Sequence, residues 1–164
     1  MISVANIKKI RTLYNENVFA DVYNSTSKTA LWSFNIPTKL LKVGDRILIQ
    51  VLGRYEMISG NFTIEPTEFS SFIETISDTG SQIPINISIE YQIYEKVASS
   101  NFIYSQKIII GTGSGVDIRH KGHVEVGFDL TGANFTVGTK AQFSVADYSN
   151  AYYVTNAKVI LVKQ

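Results

Sequence analysis

A long run of alternating apolar residues constrains the fold of this chain more than any other feature. From Ile83 to Ile93, isoleucine or tyrosine occupies every second position, and the residues between them are mostly polar. Successive side chains of a β-strand point to opposite faces of a sheet, so a period of two predicts a long, half-buried strand. The length of the run suggests a strand that bends or passes from one sheet to another.

Shorter stretches repeat this alternation, and clusters of Asn, Ser, Gly and Asp separate many of them. Most of the stretches are rich in β-branched and aromatic residues, which suit a pleated, half-buried surface. Many such strands with regular turns predict an all-β, antiparallel two-sheet sandwich, with a jelly roll as the more specific expectation. The other candidate strands are 17–24, 31–36, 46–53, 69–76, 102–110, 124–130, 141–147 and 153–161.

The first 14 residues differ from the rest, and we interpret them as an anchor segment before a β-sandwich domain of residues 15–164. Apolar residues recur there at helical spacing with basic residues between them, which predicts a short helix, with an extended segment as the alternative. A helix this short needs a partner surface. The basic cluster is either a docking site for an acidic surface or the solvated face of the helix. The docking residues of this interpretation are Ile7, Lys8, Lys9, Ile10 and Arg11.

The composition excludes several classes of function. A length of 164 residues fits one domain, and a formal net charge of +1 gives no bulk electrostatic attraction to nucleic acid or membrane. The absence of cysteine excludes disulfides, thiolate zinc sites and cysteine nucleophiles. Basic residues interrupt the N-terminus, and no apolar run approaches a membrane span, so neither a secretory signal nor membrane insertion is expected.

No catalytic or metal-binding pattern stands out from its ordinary structural interpretation. The glycine-rich stretch 111–115 lacks the lysine of a phosphate-binding loop, so we interpret it as a β-connection. His120 and His123 would face opposite sides of a strand, and a solvated loop is the default interpretation for them. We therefore expect no enzyme activity, no metal and no cofactor. A hydrolase that uses two of the scattered carboxylates is the alternative.

A cluster of tyrosines near the C-terminus is the candidate ligand site. Tyr148, Tyr152 and Tyr153 surround Ser149-Asn150-Ala151, and tyrosine with serine and asparagine is the composition of adaptable recognition surfaces. The cluster is therefore a candidate for contact with a carbohydrate or a protein. A β-turn with one buried tyrosine is the favoured interpretation.

The segment 29–49 carries a resemblance to a known class of protein. It reads TALWSFNIPTKLLKVGDRILI: a strand that ends in Ile36-Pro37, a short leucine-containing connection, Gly44-Asp45, and a second apolar strand. This order resembles a pattern in tailed-phage virion proteins, among them β-sandwich domains of head fibres, tail fibres and receptor-binding proteins. The opening residues 4–11 also resemble N-terminal segments of head-fibre proteins, which sit near the attachment point.

The resemblance implies a structural protein of a bacteriophage particle, assembled in the host cytoplasm and located in the virion. Many proteins of this class are jelly rolls and many are trimeric, so it implies a homotrimer that contacts other capsid or tail proteins. The chain has no coiled-coil heptads and no repetitive β-helix, which favours a short head-fibre or capsid-decoration module over a long fibre. A tail receptor-binding or carbohydrate-binding module for a host surface glycan is the alternative.

Overall fold

The computed structural model describes residues 9–18, 20–67, 74–93, 100–112, 115–128 and 132–164. For residues 20, 74, 100–112, 115–116 and 120–128 it describes the backbone path alone. In chain order the strands are β1 (Ile10–Glu16), β2 (Ala20–Tyr23), β3 (Thr29–Pro37), β4 (Arg46–Met57), β5 (Phe62–Pro66), β6 (Glu74–Ile76), β7 (Gly80–Ile93), β8 (Ser100–Thr112), β9 (Gly115–Phe128), β10 (Asn134–Phe143) and β11 (Ala151–Val162).

Two antiparallel sheets pack face to face, which confirms the predicted all-β sandwich. The larger sheet has seven strands in the order β1-β11-β4-β7-β8-β9, with β2 also paired to β11. The smaller sheet has the order β3-β10-β5-β6. The chain passes repeatedly from one sheet to the other, as in β2 to β3 to β4. The described strands outnumber the eight of a simple jelly roll.

The alternating run forms the centre of the larger sheet. Ile85, Ile87, Ile89, Tyr91 and Ile93 are all buried, as the period of two predicts. β7 does not pass between sheets, because it pairs with β4 on one side and with β8 on the other. Its apolar face packs against the smaller sheet. Burial of each isoleucine side chain stabilises the fold by about 1.5–3 kcal/mol relative to exposure.

The segment 29–49 folds as its pattern predicts. β3 ends at Pro37, and one turn of 3-10 helix follows over Thr38–Leu40. Gly44 has a φ of +90°, a left-handed conformation that side chains other than that of glycine rarely adopt. Ile47 then enters the core with no exposed surface. These residues are determinants of the fold.

In the part that the structure describes, the N-terminus follows the extended alternative, and the predicted helix is wrong there. β1 is extended from Ile10 and pairs with the last strand, from Ile10–Val162 to Glu16–Ala157. Tyr14 packs its ring against Trp32 and Phe34. The interpreted boundary after residue 14 therefore falls inside a strand of the sheet. The 3-10 turn is the single described helix, and no described helix is long and apolar enough to cross a bilayer.

Candidate functional site

The connections between strands gather at two opposite ends of the sandwich. The loop end consists of the segments 24–28, 58–61, 77–79 and 144–150, which lead into β3, β5, β7 and β11. The terminus end consists of the segment 38–45 with residues 9 and 163–164. β11 runs between the ends over 12 residues, which is about 40 Å at roughly 3.3 Å per residue. The two ends therefore present separate surfaces.

Asn150 fastens the segments of the loop end to one another. It is fully buried, and its side-chain oxygen accepts a hydrogen bond from the Ile58 N–H at 3.0 Å. Its amide nitrogen donates to the carbonyls of Ser59 at 3.0 Å and Val145 at 3.3 Å. Its backbone carbonyl accepts from the Asn24 N–H at 3.0 Å. A buried amide with its donors and acceptor engaged fixes the relative positions of three segments.

A second set of hydrogen bonds joins the segments 58–61 and 144–150. The Asp147 carboxylate accepts from the Ser59 hydroxyl at 3.1 Å and from the Ser149 N–H at 2.9 Å. The Asn61 N–H donates to the Ser144 hydroxyl oxygen at 2.8 Å, and the Ser144 N–H donates to the Asn61 carbonyl at 2.8 Å. These bonds hold both segments in one conformation.

The segment 77–79 is held by two side chains from the larger sheet. The Tyr55 hydroxyl donates to the Asp78 carbonyl at 3.2 Å. Arg119 of β9 pairs with the Asp78 carboxylate at 2.8 Å and donates to the Thr75 carbonyl at 3.0 Å. Because Thr75 lies in β6, this arginine joins the edge strands of the two sheets at the loop end.

Four buried aromatic rings form a rigid floor beneath the loop end. Phe62 lies at the centre, with ring centroids 5.7 Å from Tyr55, 5.2 Å from Phe143 and 4.7 Å from Tyr152. Burial, with a smaller contribution from the charge of Asp78, raises the pKa of Tyr55 to about 12. Burial also raises the pKa of Tyr152. Both phenols are therefore neutral at ordinary pH.

A cleft of about 500 Å³ opens at the loop end, between the end of β4, the start of β7 and the last turn before β11. Its polar groups are three hydroxyls and one carboxylate beside the apolar Met57 and Ile58, and none of its described lining residues is a lysine, arginine or histidine. Sites for small molecules are commonly clefts of about this size. Its lining residues are Glu56, Met57, Ile58, Thr79, Gly80, Ser81 and Ser149.

Large apolar side chains are exposed at the loop end. Tyr148 is 78% exposed and Ile58 is 65% exposed, and Tyr23 and Val145 are also accessible. Each lies in or directly beside a segment that hydrogen bonds hold in place. Exposed apolar side chains on a fixed surface are typical of a recognition site.

The structure separates the three tyrosines of the predicted ligand site. Tyr148 lies exposed in the turn at the loop end, and Tyr153 lies half-buried with the Arg54 guanidinium 5.2 Å from its ring centre. Tyr152 is fully buried and offers no surface to a ligand, in agreement with the favoured interpretation of a turn with one buried tyrosine. Ligand binding by Tyr148 and Tyr153 stays a prediction.

The predicted docking residues lie at the terminus end as far as the structure describes them. Ile7 and Lys8 lie outside the described residues. Lys9, Ile10 and Arg11 are exposed, and the Lys9 carbonyl accepts from the Lys163 N–H at 2.8 Å. Docking of this segment to a partner stays a prediction.

Asp45 organises the terminus end. Its buried carboxylate accepts from the Lys42 N–H at 2.8 Å, from the Lys163 ammonium at 2.6 Å and from the Gln164 N–H at 3.4 Å. The Lys163 ammonium also donates to the Leu40 carbonyl. A shallow cleft of about 190 Å³ adjoins this centre, lined by Gly44, Arg46, Gln92, Val162, Lys163 and Gln164.

The histidines and the glycine-rich stretch fall on a β-hairpin. His120 and His123 lie in β9, which corrects the expectation of a solvated loop. β8 and β9 pair up to Thr112–Gly115, which agrees with a β-connection there. In the part of the chain with described side chains, no group of three potential ligands could hold a metal ion.

Sequence reasoning missed the residues that build the loop end. Residues 141–147 are predicted as a strand, but β10 ends at Phe143 and the remainder belongs to the loop. Asn150 and Asp147 resemble ordinary loop residues, because their roles depend on partners such as Ile58 and Ser59, about 90 positions earlier in the chain. The turn-forming composition around Ser149 is the single local signal.

Comparison with known proteins shows no family for this chain. No protein-family model and no curated protein matches it. It is similar to a solved legume lectin-like domain from Entamoeba histolytica, with 10% identity and a TM-score of 0.29 over 93% of this chain and 88% of that one. It is also similar to a structure of infectious bursal disease virus Gx strain, with 10% identity and a TM-score of 0.32. That match covers 94% of this chain and 42% of the other. Likenesses at these TM-scores carry no argument about function.

Proposed function

We propose that this protein is a non-catalytic structural module of a bacteriophage particle, of the head-fibre or capsid-decoration type. Its N-terminal residues dock it to a capsid or tail protein of the virion, and its working assembly is a homotrimer. The proposed structural role involves no metal, cofactor, nucleic acid or membrane. Two observations support the proposal. Residues 29–49 resemble a pattern in tailed-phage virion proteins, and the N-terminus enters the sandwich at the end opposite the exposed loops.

The observation that carries the proposal is the separation of the terminus end, where the N-terminus enters the fold, from the loop end. Lys9 and Ile10 enter the fold at the terminus end, about 40 Å from the loop end by the length of β11. A module that docks through residues before β1 therefore points its loop end away from the particle. This orientation leaves the exposed side chains of Tyr148 and Ile58 accessible.

Deletion of residues 1–8 tests the docking role. Particles assembled with this variant should carry at least tenfold less of the protein on an immunoblot of purified virions. The sandwich should keep its melting temperature, because the deletion stops before β1. Particles with the normal amount of the variant would contradict the proposal.

Charge reversal gives a matched control within the folded part. Lys9→Glu with Arg11→Glu should lower incorporation into particles, since both are exposed members of the docking set. Lys39→Glu changes an exposed basic residue on another segment of the terminus end and should have no effect. Equal losses for both variants would indicate a general charge effect.

The homotrimer is tested by light scattering. The expected mass is three times the 18.3 kDa of one chain. A monodisperse species of 18.3 kDa at micromolar concentration would contradict the trimer and leave the docking role to be decided by the particle experiment.

The second candidate function is a receptor-binding module, and the exposed loop end favours it. Particles that carry Tyr148→Ala with Ile58→Ser should adsorb to the host more slowly. Leu52→Ser is the matched control, because Leu52 is an exposed apolar residue in the middle of β4, away from the loop end. Normal adsorption of the double variant would contradict this function.

A further inference from the structure

The loop-end cleft has the chemistry of a site for an uncharged carbohydrate. We propose that it binds a neutral saccharide through Glu56, Thr79, Ser81 and Ser149, with Tyr148 as the ring on which the sugar stacks. The inference rests on the receptor-binding function above and names its class of ligand.

The polar groups of the cleft are available to a ligand. In the described part of the chain, the side chains of Glu56, Thr79, Ser81 and Ser149 make no hydrogen bond to another residue. Three hydroxyls can each donate and accept, and the carboxylate accepts. A sugar presents hydroxyls that donate and accept in the same way, so each of its groups can find a partner in the cleft.

The charge of the cleft selects against anionic ligands. Glu56 is its one charged lining residue, and no described cation lines it. A phosphate, a sulfate or a sialic acid carboxylate would lie beside this negative charge without a counter-ion. Desolvation of such a group is costly unless a positive charge pairs with it. A neutral sugar incurs no such cost, and its hydroxyls can donate to the carboxylate.

Apolar surface lies beside these polar groups. Tyr148 directly precedes Ser149 in the same turn and is 78% exposed, and Ile58 lines the cleft and is 65% exposed. The faces of a pyranose ring carry C–H groups, which pack well against an aromatic ring. Tyrosine provides a large contact area with little loss of conformational entropy.

The cleft is held in shape before a ligand arrives. Met57 on its floor pairs with Gly80, and the neighbouring Glu56 pairs with Ala151. The Asp147 carboxylate fixes the Ser149 N–H at 2.9 Å. A preformed site loses little free energy to ordering, so weak individual contacts with a sugar can add up to measurable binding.

Titration of the full chain with methyl glycosides tests the inference. The neutral probes are the methyl glycosides of glucose, galactose, mannose and N-acetylglucosamine, and the anionic probe is that of N-acetylneuraminic acid. Saturation-transfer NMR should detect at least one neutral glycoside at millimolar concentration and no binding of the anionic one. Glu56→Gln and Tyr148→Ala should each weaken binding about tenfold, which corresponds to about 1.4 kcal/mol.

Two control variants separate the site from general surface effects. Tyr148→Phe keeps the ring and should bind as the wild type does. Asp21→Asn removes an exposed carboxylate of β2 that does not line the cleft, and it should have no effect. Equal melting temperatures across the set show that each variant is folded.

Three results would overturn the inference: no binding of any neutral glycoside, a preference for the anionic one, or binding that Glu56→Gln and Tyr148→Ala leave unchanged. Failure of the receptor-binding function looks different. There the neutral glycosides bind and the two substitutions weaken binding, while particles with the loop-end substitutions adsorb normally. Slow adsorption without glycoside binding would leave a protein receptor as the ligand of the loop end.

Discussion

The two ends of the sandwich are each organised around one buried polar side chain, and these side chains differ in charge. At the terminus end, the Asp45 carboxylate accepts from two backbone N–H groups and the Lys163 ammonium. At the loop end, the neutral Asn150 amide accepts from one N–H and donates to two carbonyls. Aspartate and asparagine have nearly the same shape, so the difference lies in donors and acceptors.

The difference shows how each side chain matches its surroundings. A carboxylate can only accept, which suits an end where donors converge. An amide accepts and donates, which suits an end where one N–H and two carbonyls converge. Exchange of the two side-chain types therefore tests the comparison without a change in packing volume.

Asn150→Asp should have the largest effect. The new carboxylate would face the carbonyls of Ser59 and Val145 with no donor between them. The free energy of unfolding should therefore fall by about 3–5 kcal/mol at pH 7. Burial raises the pKa of such a carboxyl above its unfolded value, so the deficit should grow as the pH rises through about 4 and beyond. Urea unfolding at pH 4 and pH 7 measures both effects.

Asn35→Asp is the control for this variant. Asn35 is exposed, and its side-chain oxygen accepts from the Thr136 hydroxyl at 2.7 Å, which a carboxylate can also do. Its free energy of unfolding should change by less than about 0.5 kcal/mol. If Asn150→Asp lowered the free energy of unfolding by as little as Asn35→Asp, the stability of the loop end would not depend on the Asn150 amide.

Asp45→Asn should have the second largest effect. The amide keeps one accepting oxygen, but its N–H groups would face donors, so about 2 kcal/mol of stability at pH 7 should be lost. Glu90→Gln is the comparison at the surface, since its ion pair with Arg46 is about one-third exposed and contributes roughly 0–1 kcal/mol. Equal losses in urea unfolding for the two variants would show that burial of Asp45 is unimportant.

Tyr55→Phe should have the smallest effect at neutral pH and a distinct pH dependence. Loss of the hydrogen bond to the Asp78 carbonyl should cost about 1 kcal/mol. The pKa of Tyr55 is raised from 10.0 to about 12. Its stabilisation is therefore complete below pH 10 and is lost as the pH rises from about 10 to 12. Thermal unfolding between pH 8 and pH 12 should show a shallower alkaline decline in the variant.

Tyr148→Phe is the control for the alkaline experiment. Tyr148 is exposed, so its replacement should leave the pH dependence of the melting temperature unchanged. A decline as steep in Tyr55→Phe as in the wild type would mean that other groups, such as the buried Tyr152, dominate alkaline unfolding.

The periodicity of the sequence was sufficient to predict the sandwich fold and its central strand. The alternation from Ile83 to Ile93 predicts the buried side chains from Ile85 to Ile93, because every second residue of a strand faces the same side; Ile83, near the start of β7, is half-buried. Gly44 marks a turn for an equally local reason, its left-handed conformation. Local signals of this kind need no knowledge of distant partners.

The N-terminus shows where such signals fail. Ile7, Ile10 and Tyr14 have helical spacing, yet the described part is extended because it pairs with the edge of β11 from Ala157 to Val162. Pairing with β11 stabilises the extended conformation, whereas a helix this short is marginal without a partner surface. The competing partner is about 150 positions away in the chain, and periodicity carries no information on it.

The sequence by itself determined the fold class, the buried face of β7 and the turn at Gly44, since each follows from the conformation of neighbouring residues. The tertiary structure alone decided that a buried carboxylate organises one end and a buried amide the other, and that a cleft with three hydroxyls lies at the loop end. Glu56, Ser81 and Ser149 meet there only because β4, β7 and β11 lie side by side in one sheet. Their convergence depends on strand order and register, which are set by packing of the whole core.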